Sequence, residues 1–128
     1  MVLHTLRKRV VLVDDDEDLR LVLKTAINSI HWEVVGEGAN GQDAVSLYRE
    51  HCPDLLLLDV NMDGMSGPQA LREIRREFPT AFVIMLTASG DLETVRDCIG
   101  NGAAGYILKD TSSADILVRV GKALGLGN

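Results

Sequence analysis

Cysteine is scarce in this chain: Cys52 and Cys98 stand alone, without the spacing of a zinc or thiol-redox motif. Both are read as small buried or half-buried fillers of a core. Basic residues are also in short supply, 13 against 19 acids, and the net charge of −6 leaves no basic stripe for nucleic acid. No apolar run approaches the roughly 18 residues that span a bilayer, so no membrane segment is expected. Met1 to Arg9 lacks the apolar centre of a secretory signal, which makes the cytoplasm the expected compartment. None of the three histidines (His4, His31, His51) closes an apolar run, and each is read as a surface or helix-end residue.

What the chain does have is alternation. Its 128 residues suit one domain with a substantial core, and 46% hydrophobic with 25% charged residues is ordinary globular composition. Apolar runs at Val10–Val13, Asp54–Leu58, Ala81–Leu86 and Ala104–Leu108 read as strands, with a shorter one around Trp32, Val34 and Val35. Between them lie helical stripes. Leu19, Val22, Leu23, Ala26, Ile27 and Ile30 form the first; Ala44, Val45, Tyr48 and Cys52, capped by Asn40, form the second. Pro68 opens a third, with Leu71, Ile74 and Phe78 on one face. A thin fourth carries Leu92, Val95 and Ile99 between Asp91 and Asn101-Gly102. The fifth carries Ile116, Leu117, Val120 and Leu124 after a cap at Ser112 or Ser113, and the tail from Gly125 is expected to fray. Five such units predict an α/β fold with a doubly wound parallel sheet; periodicity alone does not fix strand order, and the flavodoxin-like (βα)5 order 2-1-3-4-5 is the better of the two common choices.

The strands end on chemistry. The first stops at Asp14-Asp15-Asp16, the third at Asp59, the fourth at Thr87 and the fifth at Lys109. In an open α/β sheet, ligands bind outside the carboxyl ends of the strands, so these endings converge on one site. Two carboxylates about 4 Å apart repel by roughly 4 kcal/mol at an effective dielectric near 20, a cost that a cation among them offsets. Few, hard, oxygen-only ligands suit Mg²⁺ rather than calcium or zinc. Aspartate is itself a competent phosphoryl acceptor, and an ammonium and a hydroxyl stabilise charge on the transferring oxygens.

Three other motifs compete. Gly36-Glu37-Gly38-Ala39-Asn40-Gly41 fits the dinucleotide pattern GxGxxG, but its strand is short, and the glycines are read as a turn and a helix start. Asp14, Asp16 and Asp18 mimic an EF-hand opening, yet Leu19 and Thr25 occupy the places of its glycine and bidentate Glu. A phosphatase of the haloacid-dehalogenase type would use Asp14 as nucleophile and Asp16 as acid, but wants Thr or Val at Asp18 and usually a cap domain. Taken singly, each strand-end residue has a plain structural reading as cap, turn or solvated face. Their shared edge is what argues for function.

From about residue 9 to residue 124 the chain resembles the receiver domains of two-component response regulators, nearest to those preceding helix-turn-helix DNA-binding domains. The acidic pair is matched by Asp14-Asp15, the phosphoacceptor by Asp59, the switch hydroxyl by Thr87 followed by small Ala88, the lysine by Lys109 and the switch aromatic by Tyr106. The resemblance implies Mg²⁺ held by Asp15, Asp59 and the backbone carbonyl of Asn61, with Asp14 acting mainly through water and Asp16 adjoining. It implies tuning of hydrolysis by Asn61 and Ser89, and a phosphoryl group received from a sensor histidine kinase, a phosphotransfer protein or a small phosphodonor. The expected protein is a self-phosphorylating acceptor with at most slow self-dephosphorylation rather than a turnover enzyme. Phosphorylation is expected to draw Thr87 toward the phosphoryl group and Tyr106 inward, remodelling the face of the fourth helix, fifth strand and fifth helix for an output partner. The first and last helices offer a face for a homodimer. Two departures stand out: Asp63 and Asp110 occupy places where many members carry proline, leaving a cis or trans Lys109–Asp110 bond open. Residues 1–128 are read as one receiver domain, either standing alone or cut from a longer regulator.

Overall fold

The computed structural model describes residues 7–125, so the expectations for His4 and for the tail beyond Gly125 lie outside the described residues. Five strands, β1 (Arg9–Val13), β2 (Glu33–Gly38), β3 (Leu55–Asp59), β4 (Val83–Thr87) and β5 (Gly105–Leu108), alternate with five helices. These are α1 (Glu17–Ser29), α2 (Gly41–His51), α3 (Gly67–Glu77), α4 (Leu92–Gly100) and α5 (Ser113–Ala123). The sheet is parallel throughout in the order β2-β1-β3-β4-β5, the flavodoxin-like arrangement.

Period-two alternation splits the strand residues between two cores. Val11, Val13, Leu56, Leu58, Val83 and Met85 face α2, α3 and α4, where Tyr48, Leu71 and Ile74 complete the packing. Val10, Leu12, Leu57, Ile84, Leu86 and Ile107 face the other way, against Leu23, Ile27, Ile116 and Val120 of α1 and α5. Because β1, β3 and β4 are covered on both faces, their runs are continuously apolar rather than alternating.

Caps hold the helices where the sequence places them. Asn40, Asp91 and Ser112 each accept a hydrogen bond from a first-turn amide, and Ser66 forms a capping box with Gln69 ahead of Pro68.

The structure corrects several sequence expectations. Val22 and Ile30 are exposed: only Leu23 and Ile27, four residues apart, lie deep against the sheet, and Ile30 falls at the C-cap. Leu92 and Ile99 also point outward, because α4 turns Cys98 to the core instead. Cys52 is exposed rather than a filler, since it caps α2 in a left-handed conformation (φ 41°) just before Pro53. Finally, β2 runs on to Gly38, absorbing two glycines of the GxGxxG string into a strand and leaving only Ala39 and Asn40 between strand and helix.

Candidate functional site

Asp14, Asp15 and Asp59 meet at the carboxyl edge of the sheet, each offering an oxygen within 4.8 Å of the others. Asp14 immediately follows β1; its amide donates to Gly38 O at 3.0 Å, extending the ladder one residue beyond the strand. Asp16 N–H then donates to Asp14 Oδ1 at 2.9 Å, fixing the carboxylate. Asp59 is the last residue of β3, and its Oδ1 accepts from Asn61 N–H at 3.2 Å. Asp14 and Asp59 are both 1% exposed, while Asp15 faces solvent.

The backbone behind Asp59 is tightly confined. Gly67, at the start of α3, donates its amide to Val60 O at 3.0 Å. A Cβ at residue 67 would fall onto Asp59 O and the Val60 backbone. Glycine there is a close-approach requirement, and its φ is not left-handed.

Lys109 reaches in from the end of β5. Its Nζ lies 2.9 Å from Asp59 Oδ1 and 2.9 Å from Asp14 Oδ2, while its amide donates to Thr87 O at 2.8 Å. The described residues contain no cis peptide bond, so the Lys109–Asp110 bond is trans and still delivers the ammonium. Burial pulls the Lys109 ammonium toward lower pKa, but its contacts with Asp59 and Asp14 outweigh this and hold it above the usual lysine value. Burial drives Asp59 the other way, up to about 6; Lys109 opposes this and the charge of Asp14 adds to it.

One ammonium does not satisfy two buried carboxylates. Asp59 Oδ2 is buried without a hydrogen-bond partner, and Asp14 Oδ2 meets Lys109 as an ion pair without a well-aligned hydrogen bond. Buried polar oxygens of this kind are ordinarily paired. With Asp15 alongside, the arrangement is an all-oxygen set suited to a hard cation. The residues fit a metal on that ground.

Thr87 is buried at the end of β4, but its hydroxyl is engaged locally. Oγ1 donates to Ser89 O at 2.8 Å and accepts from Ser89 N–H at 3.2 Å. Ser89 Oγ in turn donates to Asp91 Oδ2 at 3.2 Å, and Asp91 caps α4. Ala88 and Ser89 are exposed, and Tyr106, beside Met85 on β5, is turned outward at 40% exposure. Asp16 borders the site through its amide, whereas its side chain caps α1 by accepting from Asp18 and Leu19 amides. That commitment takes Asp16 away from the acid role a haloacid-dehalogenase mechanism needs.

Sequence reasoning missed Arg20. Its Nη1 donates to Asp14 O at 2.6 Å and its Nε to Glu37 Oε1 at 3.4 Å. Its position as the first cation after an acidic stretch was the only available signal.

A doubly wound sheet with a lysine-bridged acidic cluster at its carboxyl edge defines a class of α/β domains whose site, at the strand ends, could take a metal ion. The response regulator receiver domain family matches residues 10–121, and the chain belongs to it. It is 40% identical over 115 residues to the response regulator protein VraR of Staphylococcus epidermidis, covering 89% of this chain but 55% of that protein. The chain thus spans about half the length of such regulators. The chemotaxis protein CheY of Bacillus subtilis is 37% identical over 116 residues, 91% of this chain and 97% of CheY. Among solved structures, the receiver domain of NarL from Mycobacterium tuberculosis superposes with a TM-score of 0.88 at 32% identity, covering 93% of this chain and 97% of that one.

Proposed function

We propose that Asp59 is the phosphoacceptor of this receiver domain and that Mg²⁺ is its cofactor. The observation that carries this reading is the pair of buried, under-satisfied carboxylates, Asp14 and Asp59, bridged by Lys109. An oxygen of Asp59 attacks phosphorus, the bond from phosphorus to the donor nitrogen or oxygen breaks, and the leaving group departs with its electron pair. No base is needed, because the ionised carboxylate is already the nucleophile. Lys109 stays beside the acceptor as a compact positive charge for the transferring oxygens. Asp14, Asp15, Asp59 and the carbonyl of Asn61 would hold the metal, which supplies charge neutralisation for the phosphoryl group.

The protein works as a switch, with self-dephosphorylation at most slow. Thr87 leaves Ser89 for the phosphoryl oxygens, Ala88 leaves room beside it, and Tyr106 turns into the space vacated, changing the α4-β5-α5 face. Asn61 and Ser89, flanking the acid cluster, set the rate at which water reaches it. The phosphoryl source is a sensor histidine kinase, a phosphotransfer protein or a small phosphodonor. The output is a protein partner, with no direct contact between this domain and nucleic acid. No helix among the described residues is long and apolar enough to cross a membrane, and we place the reaction in the cytoplasm. The exposed Leu21, Val22 and Val118 make the α1–α5 face the surface for a homodimer.

Incubation with acetyl phosphate and Mg²⁺, followed by mass spectrometry, tests the assignment. Wild type should gain one phosphoryl mass and Asp59→Asn none. A gain that survives the substitution removes Asp59 from its role.

A further inference from the structure

We propose that Arg20 is a positioning residue for the acidic pair: it clamps the Asp14 carbonyl and so presets Asp14 and Asp15 for the cation. The proposal rests on the metal reading above.

Arg20 is only 17% exposed in its side chain, and its guanidinium is shared between two acceptors. Nη1 donates to Asp14 O at 2.6 Å, and Nε faces Glu37 on β2 at 3.4 Å. The second Glu37 oxygen takes Lys24 Nζ at 3.0 Å. Lys24 and Arg20 lie one helical turn apart on α1, so both reach β2 from the same face. A chain of alternating charge thus runs from Lys24 through Glu37 and Arg20 to the backbone of the site.

The Asp14–Asp15 peptide is planar. Holding its oxygen therefore restrains the ψ that directs Asp14 and orients the bond about which Asp15 turns. Asp14 is held again by the Asp16 amide on Oδ1, but Asp15 has no other anchor among the described hydrogen bonds. The carbonyl clamp is thus what restrains the exposed member of the pair. Groups outside a metal's ligands that orient them typically change affinity by about 10–100-fold.

Charge alone makes the opposite prediction. Arg20 is a cation near a cation site, so a purely electrostatic role means that removing it tightens Mg²⁺ binding. The direction of the change separates clamp from field.

The test uses the full chain as wild type, Arg20→Met, Arg20→Lys and Glu37→Gln. Mg²⁺ affinity is read by calorimetric titration, and exchange of the Asp16 amide is read by NMR in metal-free protein. The clamp predicts roughly tenfold weaker Mg²⁺ binding in Arg20→Met and faster Asp16 exchange. Arg20→Lys should recover part of both, and Glu37→Gln should show a smaller loss. Unchanged or tighter Mg²⁺ binding in Arg20→Met, or Asp16 exchange equal to wild type, overturns the proposal. If Arg20→Met does not fold, the Lys and Gln variants decide by the same criteria. A wild type that binds no Mg²⁺ overturns the metal reading along with this one, whereas wild-type binding matched by Arg20→Met overturns the clamp alone.

Discussion

Replacing Asp59 by asparagine should make the metal-free protein more stable at neutral pH, even though it deletes the reactive group. The Asp59 carboxyl titrates at about 6 in the folded protein, against 3.8 for an ordinary aspartate, chiefly because it is buried. In the window between those two values the folded chain keeps a proton that the unfolded chain has released. Stability therefore falls as pH rises through that window, and levels off above it. Each pKa unit corresponds to about 1.4 kcal/mol, so the ionised carboxylate costs about 3 kcal/mol at neutral pH. Asparagine keeps the shape without the charge, and part of the gain is returned because Lys109 loses one of its two partners. The expected increase is about 1–3 kcal/mol near pH 7.5 in a chelator, shrinking as pH falls from about 6 and gone near pH 4. Urea unfolding followed by circular dichroism at several pH values measures it. Added Mg²⁺ should narrow the gap, because a ligand that binds only the folded state stabilises wild type more than the variant. An asparagine variant no more stable than wild type at pH 7.5, or a gap independent of pH, would refute the burial argument.

Three further outcomes follow from the same geometry. Lys109→Met leaves two buried carboxylates without their cation and should cost about 3–5 kcal/mol; in an Asp59→Asn background the loss should shrink by at least half, which a double-mutant cycle reads. Gly67→Ala drives a methyl group into the Asp59 and Val60 backbone, which has no rotamer to yield, so a loss of about 2 kcal/mol or more is expected in chemical denaturation. Thr87→Val keeps the volume but strips both hydrogen bonds to Ser89; a loss of about 1–3 kcal/mol and faster exchange of the Ser89 amide should appear together.

The strands and their polar ends were readable because two-sided burial writes itself as unbroken apolar runs, and a run that stops on Asp or Lys marks the edge where solvent begins. The meeting of Asp14, Asp59 and Lys109 at one edge followed from that, whereas strand order was a choice between two common arrangements that periodicity does not separate. Legibility failed where a residue's surroundings come from elements distant in sequence. Leu92 and Ile99 look like a core stripe on α4, but the short helix seats Cys98 inward, so the larger side chains face out. Cys52 keeps helical spacing with Tyr48, yet the backbone has already turned left-handed there, carrying the thiol off the inner face. Arg20 was invisible for a related reason: its partner Glu37 lies 17 residues away on an edge strand that the sequence marks weakly.

The route from Thr87 through Ser89 to Asp91 has a consequence for how a chemical event travels. Two short steps within five residues join the hydroxyl at the sheet's edge to the carboxylate that fastens the first turn of α4, so the two ends share a single loop. Any pull on the threonine is felt where that helix begins, before any distant packing has to rearrange. The loop behaves as a short drawstring, and α4, gripping the interior through little more than one thiol, is the lightest thing it has to move.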